Sequence, residues 1–228
     1  MEIIAHIEND FTEKFGVPRQ SGIVEKIVSK VVFEPEYRFP EAIRGLDQYS
    51  HIWILWQFSE TLKQDWKPTV RPPRLGGNTR MGVFATRSPF RPNSIGLSSV
   101  KIEKIEHGTD RGDIIYVSGA DMMNNTPVID IKPYLAYTDC HTDASEGFAL
   151  ASKSDILKVV FPENLLEEIR LEKREGLISV LAQNPIPQYQ NDPERIYSMK
   201  FSDYDISFKT DGAILNVTQV RKIHSVEK

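Results

Sequence analysis

The sequence lacks several features that would place it in a common protein class. Its 228 residues contain a single cysteine, Cys140, which excludes an intrachain disulfide and a cysteine-rich zinc site. No stretch approaches the roughly 20 apolar residues that a membrane span requires. The opening residues MEIIAHIENDF have no cationic start before an apolar run, as a signal peptide would. We therefore expect a cytoplasmic protein that does not bind a membrane.

The motifs of the common nucleotide, metal and nucleophile sites are also missing. Gly77 and Gly82 have the separation of a phosphate-binding loop, but Val-Phe follows where that loop needs Lys and then Ser or Thr. No G-x-G-x-x-G follows the first strand, so a Rossmann nucleotide site is not supported. The five histidines are scattered, and Cys140-His141 has no further ligands nearby in the sequence. We expect neither a metal site nor a cysteine nucleophile.

One purely cationic segment stands out in a mildly acidic chain. Residues 71–98, hereafter the arginine-rich segment, contain five arginines, no lysine and no acidic residue. Removing those five from the 28 basic residues leaves 23 against 32 acidic residues, a net charge of −9. The planar fork of arginine suits carboxylates and phosphates, and Phe84 and Phe90 offer faces on which a base can stack. The alternative is a set of surface arginines paired with carboxylates elsewhere in the fold.

The first two-thirds of the chain reads as a series of strands. Alternating or β-branched runs cover residues 3–7, 22–33, 49–58, 81–86, 94–106, 113–120 and 126–135. One short helix is predicted over 40–46, which has a proline early and a glycine near its end. Many strands joined by turn-rich links, with few helices between them, predict a mainly β fold built on an antiparallel β-barrel.

The last third has a different character. Residues 138–155 are polar and are interpreted as a linker. The apolar residues over 165–171 have helical spacing, and Asp211-Gly212 between alternating runs predicts a two-residue hairpin turn. We therefore predict two domains, a barrel over residues 1–140 and a small α+β C-terminal domain over 154–228.

Several segments together resemble the TsaA/TrmO family. They are VPRQSG (17–22), SHIWILWQF (50–58), the arginine-rich segment and TPVIDIKPYL (126–135), and LAQNPIPQY (181–189) is similar to the C-terminal module of bacterial members. The resemblance covers most of the chain and implies a tRNA methyltransferase that uses S-adenosylmethionine. It also implies a β-barrel and a homodimer with the cofactor near the subunit interface. The implied target is N6 of threonylcarbamoyladenosine, immediately 3′ of the anticodon in certain threonine tRNAs.

The resemblance also implies which residues form the site. The cofactor pocket is expected to use Pro18, Arg19, Gln20, Ser59, Glu60, Arg87, Leu97, Asp121, Met122, Met123 and Asn124. The tRNA anticodon loop is expected to contact Arg71, Arg74, Arg80, Arg91, Lys132 and Tyr134. The carbamoylated N6 is a poor nucleophile, so Asp121, Asp130 and Tyr134 are considered as proton acceptors, although each could equally be a structural hydrogen-bonding group.

Three positions depart from the family's pattern. Ser59 stands where histidine is common, Asn124-Asn125 replaces Asp-Gly, and Ser94 replaces a proline. Asparagine tolerates a positive φ, which softens the loss of the glycine. Two other functions are compatible with the same residues. One is a non-catalytic barrel that binds S-adenosylmethionine or another nucleotide as a regulatory ligand, and the other is a methyltransferase for another RNA or a metabolite.

Overall fold

The computed structural model describes residues 1–61, 65–72, 75, 78–151, 156–186 and 192–223. Its strands are β1 (Ala5–Glu8), β2 (Val28–Phe33), β3 (His51–Gln57), β4 (Thr69–Val70), β5 (Met81–Gly82), β6 (Ile95–Thr109), β7 (Gly112–Ser118), β8 (Pro127–Pro133), β9 (Lys158–Val160), β10 (Tyr197–Phe201), β11 (Tyr204–Thr210) and β12 (Ile214–Lys222). Its α-helices are α1 (Ala136–Asp139), α2 (Phe148–Ala151), α3 (Glu163–Leu166) and α4 (Leu171–Ala182). None of the described helices is long and apolar enough to cross a membrane.

Six strands of the first part close into a barrel in the order β1-β2-β7-β6-β3-β8. Every neighbouring pair in it is antiparallel. The alternation of β3 shows which of its faces points into the barrel, because Ile52, Ile54 and Trp56 are buried while the residues between them are only half-buried. The predicted mainly β fold with an antiparallel barrel is confirmed.

Three local predictions for the first part were wrong. Residues 22–27 form a loop before β2, which begins at Val28, and Gly22 adopts a left-handed φ of 78°. The run 81–86 has a two-residue strand followed by a 3-10 turn over Val83–Ala85 that buries Val83. The helix predicted over 40–46 is two 3-10 turns, since Gly45 between them has a φ of 87°.

The second part is a four-stranded sheet in the order β10-β11-β12-β9, with β9 parallel to β12. The predicted helical run is divided between α3 and α4, because Ile169 turns into the core while Leu171 is 75% exposed. The hairpin at Asp211-Gly212 is present, but its loop is three residues long. The Asp211 carboxylate accepts the N–H groups of Ala213 and Ile214 there.

The two sheets have separate cores, and the stretch between β1 and β2 belongs to the second. The barrel core surrounds Ile52, Ile54 and Met122. Phe11, Val24 and Ile27 pack instead with the apolar residues of α4 and β10–β12. Residues 10–27, hereafter the connecting segment, therefore leave the barrel and return to it through the core of the C-terminal sheet. The predicted first residue of the second domain, 154, lies outside the described residues.

Candidate functional site

Separate parts of the chain meet at one end of the barrel, where β1, β3 and β7 end and β2, β6 and β8 begin. Arg87, an exposed residue of the arginine-rich segment, donates a hydrogen bond from its guanidinium to Oε1 of Gln20 at 2.5 Å. The positive charge of Arg87 also acts on the carboxyl group of Asp121, just beyond β7. Three residues expected in the cofactor pocket are thus brought together.

Two further side chains connect Asp121 to the barrel interior. Ser98 is buried at an inward position of β6 and donates to Oδ1 of Asp121 at 2.5 Å. The indole Nε1 of Trp56 donates to Oγ of Ser98 at 2.9 Å. Gly96 permits this arrangement, because a Cβ there would lie 2.2 Å from the indole ring of Trp56. We call Gln20, Trp56, Arg87, Ser98 and Asp121 the Asp121 cluster.

Burial dominates the electrostatics of Asp121. It raises the pKa of the carboxyl group, while hydrogen bonds from Ser98 and the backbone and the charge of Arg87 oppose the rise. Desolvation disfavours the ionised form, so Asp121 accepts a proton more readily than a surface carboxylate does. Such a group suits contact with a cation or acceptance of a proton from a reacting atom.

The loop after Asp121 is held by the end of β1. The N–H of Asn9 donates to Oδ1 of Asn124 at 3.0 Å, and its Nδ2 donates to the carbonyl of Met122 at 2.8 Å. The Met122 side chain is buried in the barrel core, Met123 is half-buried, and Asn125 has a left-handed φ of 61°. The side chains of Met122 and Asn124 are therefore occupied within the fold.

Four other residues predicted for the cofactor pocket lie outside the Asp121 cluster. Pro18 is buried, and Arg19 donates to the carbonyls of Asn184 and Ile186 in the C-terminal domain at 3.1 and 3.0 Å. Ser59 and Glu60 are exposed just after β3. Pro18 and Arg19 also line a cavity of about 140 Å³ against α4. It is smaller than the roughly 300 Å³ of the smallest usual ligand pockets.

Leu97 lies on the opposite side of the barrel wall from Ser98. It is 54% exposed and pairs with Leu55, which in turn pairs with Asp130. We call this side the outer face; its residues are Trp53, Leu55, Leu97, Asp130, Lys132 and Tyr134.

The other two candidate proton acceptors lie on this outer face. The carboxylate of Asp130 is ion-paired with Lys132 at 2.8 Å. The ring centroid of Tyr134 is 5.4 Å from that of Trp53, and partial burial is the main cause that raises the pKa of the Tyr134 hydroxyl. Of the three candidates, Asp121 is the one that joins Gln20 and Arg87.

The arginines predicted to bind tRNA differ in their surroundings. Arg71 and Arg80 are exposed, and no acidic side chain of the described residues forms an ion pair with either. Arg91 instead donates to the carbonyls of Val83 and Thr86 at 3.1 and 2.8 Å, and so braces its own loop. Arg74 lies outside the described residues.

The aromatic residue in this loop is well placed for stacking. Phe84 is 71% exposed, and the Arg91 guanidinium lies 5.4 Å from its ring centroid. Exposed cations beside an aromatic face are the usual components of a single-stranded RNA surface. Among the described residues, no three His, Cys, Asp or Glu side chains are close enough to hold a metal ion.

Sequence reasoning missed three residues that organise the site. Ser98 carries a signal, since a serine occupies an inward position between Gly96 and Val100 in an otherwise buried alternation. A buried hydroxyl needs a partner, and that requirement points to a polar group at the barrel end. Trp56 and Asn9 carry no comparable signal, because their partners lie 42 and 115 residues away in the chain.

The chain is similar to known proteins over most of its length. Models of the tRNA-methyltransferase O N-terminal domain and the TrmO C-terminal domain match residues 6–140 and 154–223. The tRNA (adenine(37)-N6)-methyltransferase of Escherichia coli K12 is 39% identical over 220 residues, 93% of each chain. A putative S-adenosylmethionine-dependent methyltransferase, RcsF, of Pseudomonas aeruginosa is 38% identical over 211 residues, 89% of each chain. The crystal structure of TrmO from Pseudomonas aeruginosa has a TM-score of 0.76 and 30% identity, covering 96% of this chain and 97% of that one.

Proposed function

The chain belongs to the tRNA-methyltransferase O family, and on that premise we propose that it methylates N6 of threonylcarbamoyladenosine next to the anticodon of threonine tRNA. S-adenosylmethionine is the proposed methyl donor. The class of enzyme, a tRNA methyltransferase, follows from the family. The donor, the modified nucleoside and the tRNA are the parts that we propose.

The observation that carries this proposal is the convergence of Gln20, Arg87 and Asp121 at the barrel end. The donor molecule has a carboxylate, an ammonium group, a sulfonium group and an adenosine. The exposed guanidinium of Arg87 suits the carboxylate, because it offers several donors in one plane. A positive ligand beside Asp121 would offset the cost of burying that carboxylate. The residues present therefore fit the group.

When bound, S-adenosylmethionine supplies an activated methyl group on its sulfonium. The transfer is an in-line displacement, so the main work of the protein is to orient the two reactants. The N6 nitrogen also carries a proton that must leave. We assign its acceptance to Asp121, since burial raises the pKa of this carboxyl group and the hydroxyl of Ser98 fixes its orientation at 2.5 Å.

The RNA is assigned to the arginine-rich segment and the outer face. Arg71 and Arg80 are exposed cations for phosphates, and Phe84 provides a face for a base. Lys132 and Tyr134 lie on the outer face next to Trp53. Arg91 contributes indirectly, because its guanidinium braces the turn that presents Phe84.

We also propose a homodimer in which a second copy covers part of the outer face. Leu97, expected near the cofactor, points away from Asp121 and is 54% exposed. A partner subunit that packs on Leu97 would bring the outer face into a site shared between the subunits. Sedimentation of the wild-type chain should give a dimer, and Leu97→Arg should shift it to monomer. A monomeric wild-type chain would reject this part of the proposal.

The enzyme assignment is tested by transfer of labelled methyl groups from S-adenosylmethionine to two purified tRNA pools. One pool comes from cells that make threonylcarbamoyladenosine, and the other from cells that cannot. Label in the first pool alone is the expected result. Label in both pools would retain the donor and discard the nucleoside. Label in neither pool, with S-adenosylmethionine bound, would favour a regulatory barrel without catalysis.

A further inference from the structure

Arg19, which sequence resemblance places in the cofactor pocket, directs its guanidinium to the C-terminal domain. One terminal nitrogen, NH2, donates to the carbonyl of Asn184 at 3.1 Å and to that of Ile186 at 3.0 Å. These carbonyls belong to the turn that follows α4, where Asn184 adopts a left-handed φ of 50°. Hydrogen bonds from a charged donor are stronger than neutral ones. Arg19 therefore holds this turn against the connecting segment.

The rest of the connecting segment is fixed to the same domain. Asp10 accepts two hydrogen bonds from Nζ of Lys173 at 2.7 and 2.8 Å, and the two side chains are only 13% and 27% exposed. The Asp10 carbonyl also accepts the N–H of Ser202 at 2.8 Å. Phe11 is buried with its ring edge-on to Phe201, at 6.0 Å between centroids. The segment is thus anchored on both sides of Gly16.

The residues directly after Arg19 reach the Asp121 cluster. Gln20 accepts the hydrogen bond from Arg87, and the backbone of Ser21 hydrogen-bonds to Asp121. Gly22 then donates its N–H to the carbonyl of Gly119 at 2.9 Å, which brings the chain back to the barrel. Four consecutive residues, 19 to 22, therefore connect the turn at 184–186 with the Asp121 cluster.

We propose that the C-terminal domain positions the cofactor pocket, and that Arg19 and Lys173 are the positioning residues through which it acts. This inference rests on the proposed function, because it concerns the same pocket. Arg19 sets the position of Gln20 and Ser21 through its contacts with the C-terminal domain, and it does not bind the donor itself. The role of Arg87 differs, since its guanidinium lies in the cluster and meets the donor's carboxylate directly.

The test compares two ligands that share the adenosine and the methylated sulfur. S-adenosylmethionine has a carboxylate, an ammonium group and a positive sulfonium, whereas 5′-methylthioadenosine has a neutral thioether and lacks the amino-acid part. Calorimetric affinities for both are measured on the full-length chain for Arg19→Ala, Arg19→Lys, Lys173→Met and Arg87→Ala. Lys209→Met is the matched control, since Lys209 forms an ion pair with Glu194 at 3.0 Å wholly within the C-terminal domain.

Arg19→Ala and Lys173→Met should weaken both ligands by the same factor, about 2- to 30-fold, the range seen when residues couple to a site without touching the ligand. Arg19→Lys should recover part of the loss, because an ammonium group can also donate to two carbonyls. Lys209→Met should leave both affinities unchanged, and Arg87→Ala should weaken S-adenosylmethionine alone.

Two results would overturn the inference while leaving the proposed function intact. If Arg19→Ala weakens S-adenosylmethionine but not 5′-methylthioadenosine, Arg19 binds the donor's amino-acid part directly. If Arg19→Ala and Lys173→Met lower the melting temperature but change neither affinity, the contacts are merely structural. A wild-type chain that binds neither ligand would instead reject the proposed function itself.

Discussion

Ser98 and Leu97 are neighbours in the chain, yet they belong to opposite sides of the barrel wall. On the inner side, Ser98 is buried and connects Trp56 to Asp121 by short hydrogen bonds. On the outer side, Leu97 is exposed and pairs with Leu55 on the neighbouring strand. Leu55 in turn pairs with Asp130, which forms an ion pair with Lys132. The inner side is apolar and shielded from water except for the hydrogen-bonded group at Ser98 and Asp121. The outer side combines apolar, aromatic and charged side chains.

The difference indicates a division of work between the two sides. The half-buried carboxylate of Asp121, whose pKa is raised by desolvation, suits contact with a small reactant, because desolvation strengthens its interactions. The outer side has broad, accessible contact area, which suits a macromolecule such as RNA or a second subunit. Substitutions on the inner side should therefore change chemistry and donor binding, and substitutions outside should change RNA binding or assembly.

The largest effect is expected from Asp121→Asn. Loss of a general base typically lowers a rate by about 100- to 10,000-fold, so single-turnover methyl transfer with saturating donor should fall by that order. Asp130→Asn is the matched control, because it makes the same chemical change on the outer face. A larger loss with Asp130→Asn would move the proton acceptor to the outer side.

The next effect is expected from Arg87→Ala. Removing a hydrogen bond to a charged group costs about 1.5–3 kcal/mol, which should appear as weaker binding of S-adenosylmethionine in calorimetry. Arg111→Ala provides the control, since Arg111 is ion-paired with Glu8 at 2.5 Å elsewhere on the barrel. Unchanged affinity in the Arg87 variant would remove this residue from the donor site.

A smaller effect is expected when Arg71 and Arg80 are both changed to Glu. Each lost phosphate contact lowers the slope of log affinity against log salt by about 0.7 for single-stranded RNA. Filter binding of tRNA over a salt series should therefore show a shallower slope, with donor affinity retained. Arg44→Glu, an exposed arginine paired with Glu41, is the comparison. An equal change of slope in that variant would make the effect one of net charge alone.

The smallest effect concerns stability against pH. Because burial raises the pKa of Asp121, the folded protein holds this proton more tightly than the unfolded chain. The resulting contribution to the free energy of unfolding is present at low pH and is lost as the pH rises from the ordinary aspartate pKa through the raised one. Asn cannot titrate, so the stability of Asp121→Asn relative to wild type should increase over that window and then level off. Urea denaturation at several pH values measures it, and a flat difference would contradict the raised pKa.

Much of the barrel could be predicted from the sequence, because strand alternation is a local property. In β3 and β6 the inward positions are visible as Ile52, Ile54 and Val100 at every second residue. The arginine-rich segment was equally visible, since five arginines without an acidic residue need no structure to be recognised. The strand predicted over 81–86 was wrong, because an apolar pattern does not reveal that a 3-10 turn buries Val83.

The sequence by itself therefore determined the strands, the faces they bury and the cationic segment, all of which depend on the identity and spacing of nearby residues. Only the tertiary structure decided that Trp56, Ser98 and Asp121 meet, that Arg91 turns to its own loop, and that Arg19 reaches the C-terminal domain. The physical reason is that alternation specifies a face but not its neighbour. Barrel closure and the need of buried carbonyls and carboxylates for donors choose the partners, and these lie far apart in the chain.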